Sequence, residues 1–106
     1  MNPIEQRIAI AEACGWSNIH KAENGTALMG WWHGPPRTSL VIPDYLNDLN
    51  AMHEAIMAQP QDVRARINFN LAESFRPKKW ILDQTVNATA AQRAEAFLKT
   101  LNLWKD

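Results

Sequence analysis

The stretch that most narrows the choice of folds is "TALMGWWH", Thr26 to His33. Laid out as a β-strand, its alternate side chains leave on opposite faces. Ala27, Met29 and Trp31 then share one face, and Leu28, Gly30 and Trp32 share the other. Both faces are apolar, and a strand apolar on both sides is ordinarily covered on both sides. Just upstream, Asn24-Gly25 is a strong hairpin signal, which pairs this run with "WSNIHK", Trp16 to Lys21. The expectation is a small, mainly antiparallel sheet with helices on both faces.

The helices are legible on either side of it. Asn2 is placed to cap the first, with Pro3 at its first position and Glu5 reaching back toward the cap. Ile4, Ile8 and Ala11 form its stripe, widened by Ile10 and Cys14, and Gly15 is a left-handed stop. A second helix is expected from Asp44 to Ala58, with Pro43 and Asp44 as start signals. At about 100° per residue, Tyr45, Leu46, Leu49, Met52 and Ile56 cluster in its apolar sector. Asn47, Asn50, Ala51 and Glu54 fall outside that sector. A third begins at Pro60 with the stripe Val63, Ile67, Leu71 and Phe75, leaves Phe69 off it, and ends before Pro77.

"KWILDQTV", Lys79 to Val86, reads as a further strand, with Trp80 and Leu82 on one face and Ile81 on the other. In the last helix Thr89 and Gln92 make a capping box ahead of Ala90, Ala94, Phe97, Leu98 and Leu101. Glu95 and Lys99 pair on its outer face, Asn102 closes its end, and Leu103 and Trp104 fold back as a clasp. "HGPPRTS" is loop, and Leu40 to Ile42 is either a short strand or the lead into the next helix. The order is α-β-β-α-α-β-α in one α+β domain over residues 1–106, arranged as a three-layer α/β/α sandwich.

Composition narrows the functional classes. Apolar residues make up 46% and charged residues 21%, the balance of a chain with a packed core. Eleven basic and eleven acidic side chains cancel, so there is no strong nucleic-acid signal and no pull toward acidic membranes. No apolar run is long enough to span a bilayer, and "MNPIEQR" lacks the regions of a signal peptide. Cys14 is the single cysteine and closes no internal disulfide. A cytoplasmic protein is expected.

Catalytic patterns are missing from the sequence. His20, His33 and His53 lie on different elements, and there is no HExxH, phosphate loop or nucleophile elbow. His53 projects between Leu46 and Leu49, as a packed core histidine would, and Glu54 points about 100° away from it. The reading is a non-enzymatic protein with no cofactor and no metal. Two patches are suited to binding. "GWWHGPPR" offers Trp31, Trp32, His33 and Arg37, aromatics beside a rigid proline turn. "RPKKW" adds Arg76, Lys78 and Lys79, which with Arg64 and Arg66 face only Glu73 in negative charge. Trp31 and Trp32 point to opposite sides of a continuous strand, so one of them is the expected contact. Of the five tryptophans, most are expected in the core.

Three segments carry a family resemblance: "IAEACGW" (Ile10 to Trp16), "PDYLNDLNAMHEA" (Pro43 to Ala55) and "NATAAQRAEAFLKTLNLW" (Asn87 to Trp104). In wording and order they resemble the phage ABA-sandwich domain family, small proteins of bacteriophages and prophages with a sheet between helices. The resemblance implies phage origin and the layered fold, and it carries no catalytic motif onto these positions. Small size and phage origin together lead to a binding protein acting on a bacterial host component, with inhibition of a host defence system, in the manner of an anti-CRISPR, as the leading role. Its partner would be a host or phage protein, met in the host cytoplasm. The alternatives are a nucleotide ligand, as in a signalling-nucleotide sponge, and a small enzyme or phage structural accessory.

Overall fold

The computed structural model describes residues 1–23, 25, 27–32, 40–75 and 87–105. Helix α1, Pro3–Ala13, starts as its sequence dictates. Asn2 Oδ1 accepts the Glu5 N–H at 2.8 Å, and Asn2 Nδ2 donates to Glu5 Oε1 at 2.6 Å. Gly15 stops it in the left-handed region at φ 101°, where a Cβ would be strained. Ile10, Ala11 and Cys14 are buried and Ile8 is half-buried, but Ile4, expected in the stripe, is 41% exposed in the first turn.

Strand β1, Trp16–Lys21, pairs antiparallel with β2, Leu28–Trp32, as the hairpin signal requires. The Ala22 N–H donates to the Ala27 carbonyl at 2.8 Å, closing the connection, and Gly25 supplies a φ of 75° within it. β3, Leu40–Val41, adds to the other side of β2, giving the order β1-β2-β3. The pairing of β1 with β2 is interrupted. Trp16 faces Trp32 and Ser17 faces Trp31, yet the next pair is His20 with Met29, so Asn18 and Ile19 together oppose Gly30. Asn18 takes φ 50° at this bulge, a conformation Asn tolerates better than most side chains. The extra residue resets the alternation, and Ile19 joins the face of Trp16 and Leu28 and packs on the core.

Gly30 lies opposite the bulge for a steric reason. A Cβ there would stand 3.1 Å from the Ser17 carbonyl oxygen and 3.3 Å from both Ile42 Cδ1 and Trp16 Cε3. Leu28 and Gly30 are buried on the inner face. On the outer face Met29 and Trp31 are half-buried and Val41 is 61% exposed.

Helix α2 corrects the sequence expectation. It spans Leu49–Met57, not Asp44 to Ala58. Two acidic residues compete to start it, and Asp48 wins: its backbone is extended and its side chain accepts the Ala51 N–H at 3.2 Å. Asp44 is engaged instead by Arg7 of α1, an ion pair at 3.6 Å, and by Asn47 Nδ2 at 3.0 Å. Residues 45–47 form a turn, in which Tyr45 is buried. The buried sector of the shorter helix is Ala51, Met52, Ala55 and Ile56. Ala51, expected outside the apolar sector, lies in it. Leu49, expected in the core, is 49% exposed, and His53, expected to be packed, is exposed as well.

Helices α3, Gln61–Glu73, and α4, Ala90–Thr100, follow their patterns closely. Ile67 and Leu71 are fully buried, Val63 and Phe75 pack at their margins, and Phe69 is 64% exposed. Thr89 and Gln92 form the complete capping box. At the far end Asn102 is left-handed at φ 59°. The Leu103 N–H reaches the Leu98 carbonyl at 2.8 Å and the Asn102 N–H the Lys99 carbonyl at 3.2 Å, the paired bonds of a Schellman ending. Leu103 and Trp104 fold back onto the core, with the Lys99 ammonium 5.4 Å from the Trp104 ring centre.

The described elements run α-β-β-β-α-α-α, an α+β fold of four helices and a three-stranded antiparallel sheet. Helix α4 is its hub, touching α1, α2 and α3, while α1 links the helices to β1. The strand expected within residues 79–86 lies outside the described residues. None of the described helices is long and apolar enough to cross a membrane.

Candidate functional site

Between the inner face of the hairpin and helix α2 lies a cleft of about 420 Å³. One wall is Trp16 and Trp32, paired across the strands, with ring centres 5.1 Å apart and planes inclined at 58°. Ala51, Glu54 and Ala55 of α2 and Ala58 at its end also line it, and the three alanines leave space open there. Tyr45, in the turn before α2, lines it as well, with Cys14, Leu40 and Pro43 completing the lining.

The polar groups of this cleft are few and mostly neutral. Burial pushes the Cys14 thiol up to about 11. The thiol lies 3.9 Å from the Ala55 carbonyl, a weak bond that ties α1 to α2. Burial likewise pushes the Tyr45 phenol up to about 12, helped by the nearby Cys14 and Glu54 and opposed by the Trp16 indole. Both are protonated near neutral pH, so neither is a ready nucleophile or base. The Trp16 Nε1–H is buried and makes no hydrogen bond of good geometry. Glu54 is exposed, which sets it at the rim.

Two larger concavities differ in character. One of about 620 Å³ between α3 and α4 is lined by Asn70, Glu73, Ser74, Gln92, Glu95 and Lys99 among others, and there Lys99 pairs with Glu95 at 3.3 Å. The other, about 540 Å³, runs along the exposed side of α1 to Leu103. Neither gathers aromatic rings as the hairpin cleft does. No group of three or more His, Cys, Asp or Glu among the described residues is placed to hold a metal ion.

Of the site residues read from the sequence, Trp32 lies in the cleft and is 40% exposed. Trp31 pairs with Ser17 on the other face of the sheet and is half-buried, so the two tryptophans do diverge. His33, Arg37, Arg76, Lys78 and Lys79 lie outside the described residues. Sequence reasoning missed Trp16, Tyr45 and the α2 wall as partners of Trp32. One signal was present: Ala51, Ala55 and Ala58 recur at i, i+4 and i+7, a run of small side chains along one helix face. Compared with protein-family models, curated proteins and solved structures, the chain matches none.

Proposed function

We propose that this protein acts by binding, and that the hairpin cleft is where it receives part of its target. The observation that carries this reading is the aromatic corner of Trp16 and Trp32 set against the small-residue wall of α2. Such a concave, largely apolar site with a few placed polar groups is the usual form of a ligand or hot-spot pocket. The neutral thiol and phenol favour contact over chemistry.

The target we favour is a bacterial host protein met in the host cytoplasm, with the protein serving a phage or prophage as an inhibitor of host defence. This part rests on the resemblance of the α1, Pro43–Ala55 and α4 segments to the phage ABA-sandwich family. The same resemblance carries the three-layer α/β/α arrangement, in which helices cover both faces of the sheet. A phosphate-rich nucleotide is the weaker alternative, because Glu54 at the rim opposes an anion in this cleft.

Photocrosslinking tests the placement. A benzophenone side chain at Leu40, inside the cleft, should give one discrete covalent adduct in bacterial cells, while the same group at exposed Phe69 on α3 should give none. Adducts from Phe69 with none from Leu40 would move the site elsewhere.

A further inference from the structure

We infer that Met57 is a reversible oxidation site, where Arg64 receives the oxygen that a hydroperoxide adds to the sulfur. The inference is independent of the binding role proposed above. Met57 is the last residue of α2 and is 51% exposed, so its thioether is open to solvent. The other methionines are better covered: Met52 is fully buried, and Met1 and Met29 are half-buried. A thioether has no proton to lose, so its oxidation by peroxide follows access. Met57 is therefore the methionine that reacts first. Cys14 carries the remaining sulfur, and burial keeps that thiol protonated, the slow form toward oxidants.

The neighbour of Met57 sets this site apart. Arg64, near the start of α3, donates through Nη1 to the Met57 sulfur at 3.8 Å, across the connection between the two helices. A thioether is a weak acceptor, and a guanidinium carries five donors. Among the described residues no carboxylate pairs with Arg64. In the oxidation a sulfur lone pair attacks one oxygen of hydrogen peroxide, and the O–O bond breaks as the S–O bond forms. The departing hydroxide takes up the proton of the transferred oxygen and leaves as water. Sulfur loses two electrons and the peroxide gains them. The new oxygen is the negative end of the S–O dipole and a strong acceptor. Rotation about the unbranched Met57 side chain turns it toward the guanidinium. A weak N–H···S contact becomes a charge-assisted N–H···O bond. Methionine oxidation ordinarily disrupts packing. Here the added oxygen finds a donor already in place, and it ties α2 to α3, which otherwise meet only lightly.

The test treats the purified protein with hydrogen peroxide and follows each methionine over time by peptide mass spectrometry. Met57 should oxidise several-fold faster than Met1 and Met29, with Met52 protected while the fold stands. Oxidation at Met57 no faster than at Met1 or Met29 would overturn its assignment as the site. Thermal melts before and after oxidation, on wild type, Arg64→Ala and Met57→Leu, read the part played by Arg64. The oxidation shift of Arg64→Ala should lie below that of wild type by about 2 °C or more. Equal shifts in the two would overturn the docking of the oxygen on Arg64. A shift of wild-type size in Met57→Leu would do the same, by tracing the effect to another oxidised residue. The Arg64 side-chain N–H resonances of the wild type give a readout that needs no variant. They should move on oxidation, and unchanged positions would count against the docking. Treatment with both methionine sulfoxide reductases, one for each epimer, should restore the original midpoint and resonances. Their failure to do so would overturn reversibility.

Discussion

Asn70 on α3 donates through Nδ2 to Thr100 Oγ1 on α4 at 2.8 Å, and that hydroxyl in turn donates to the Ala96 carbonyl at 2.7 Å. The two bonds form a relay across the α3–α4 helix pair, in a half-buried position beside the concavity between them. Thr100→Val keeps the shape and removes both bonds, leaving the Asn70 amide without its partner. The expected cost is about 1–2 kcal/mol in urea unfolding. Combining it with Asn70→Leu should cost less than the sum of the single changes, because the second mutation removes the stranded amide.

The corrected boundary of α2 separates two residues that the sequence pattern treats alike. Met52 is fully buried and Leu49 is half-exposed in the first turn. Met52→Ala should destabilise by about 2–5 kcal/mol, while Leu49→Ala should cost less than about 1 kcal/mol. Comparable denaturation midpoints for the two variants would return Leu49 to the core and refute the Asp48 cap.

Gly30 and Gly25 are both required, for different reasons. At Gly30 a methyl group meets the Ser17 carbonyl, Ile42 and Trp16, so Gly30→Ala should cost about 1–3 kcal/mol by overpacking. At Gly25 the space is open but φ is 75°, and alanine should cost about 1 kcal/mol through the backbone alone. Replacing Trp16 by Leu should ease the first penalty and leave the second untouched, as thermal melts of the double variants would reveal.

Alkaline pH should weaken the fold in a defined window. Cys14 is raised from 9.0 to about 11, and Tyr45 from 10.0 to about 12, mainly by burial. The native state therefore holds protons that the unfolded chain releases, so ν for the unfolded state is the smaller and stability falls as pH rises. Stability should be independent of these groups below about pH 9 and decline from there to about pH 12. Because the chain has one cysteine and one tyrosine, thiol modification and phenolate absorbance each report a single site. Cys14→Ala should remove the earlier part of the decline. A Cys14 thiol that reacts near neutral pH as fast as a free thiol would contradict its burial.

Most of the secondary structure was readable because it rests on local physics. The Asn2 cap, the Gly15 stop, the Thr89–Gln92 box and the Asn102 ending are each decided within one helical turn, and all four formed as expected. The stripe of α3 was equally clear, down to the exposure of Phe69. Where two local signals competed, at Asp44 and Asp48, the cap formed at Asp48, while Asp44 stands beside Arg7, which lies far off in the chain. The face of α2 that meets the core is Ala51, Met52, Ala55 and Ile56, which leaves Leu49 and His53 outward.

The candidate site shows the same division. Trp32 stood out in the sequence as a large aromatic on a strand with two apolar faces. Its neighbours did not, because Trp16 reaches it only through strand register and a bulge at Asn18, and Tyr45 only through the turn that replaced a helix. Sequence by itself determined the hairpin, the caps of α1 and α4 and the apolar content of the strands, since these follow from interactions between residues a few positions apart. Only the tertiary structure decided which face met which, how large a space the alanines of α2 left open, and that one carboxylate stands at its rim. Those depend on contacts between residues distant in the chain, whose geometry no local periodicity encodes.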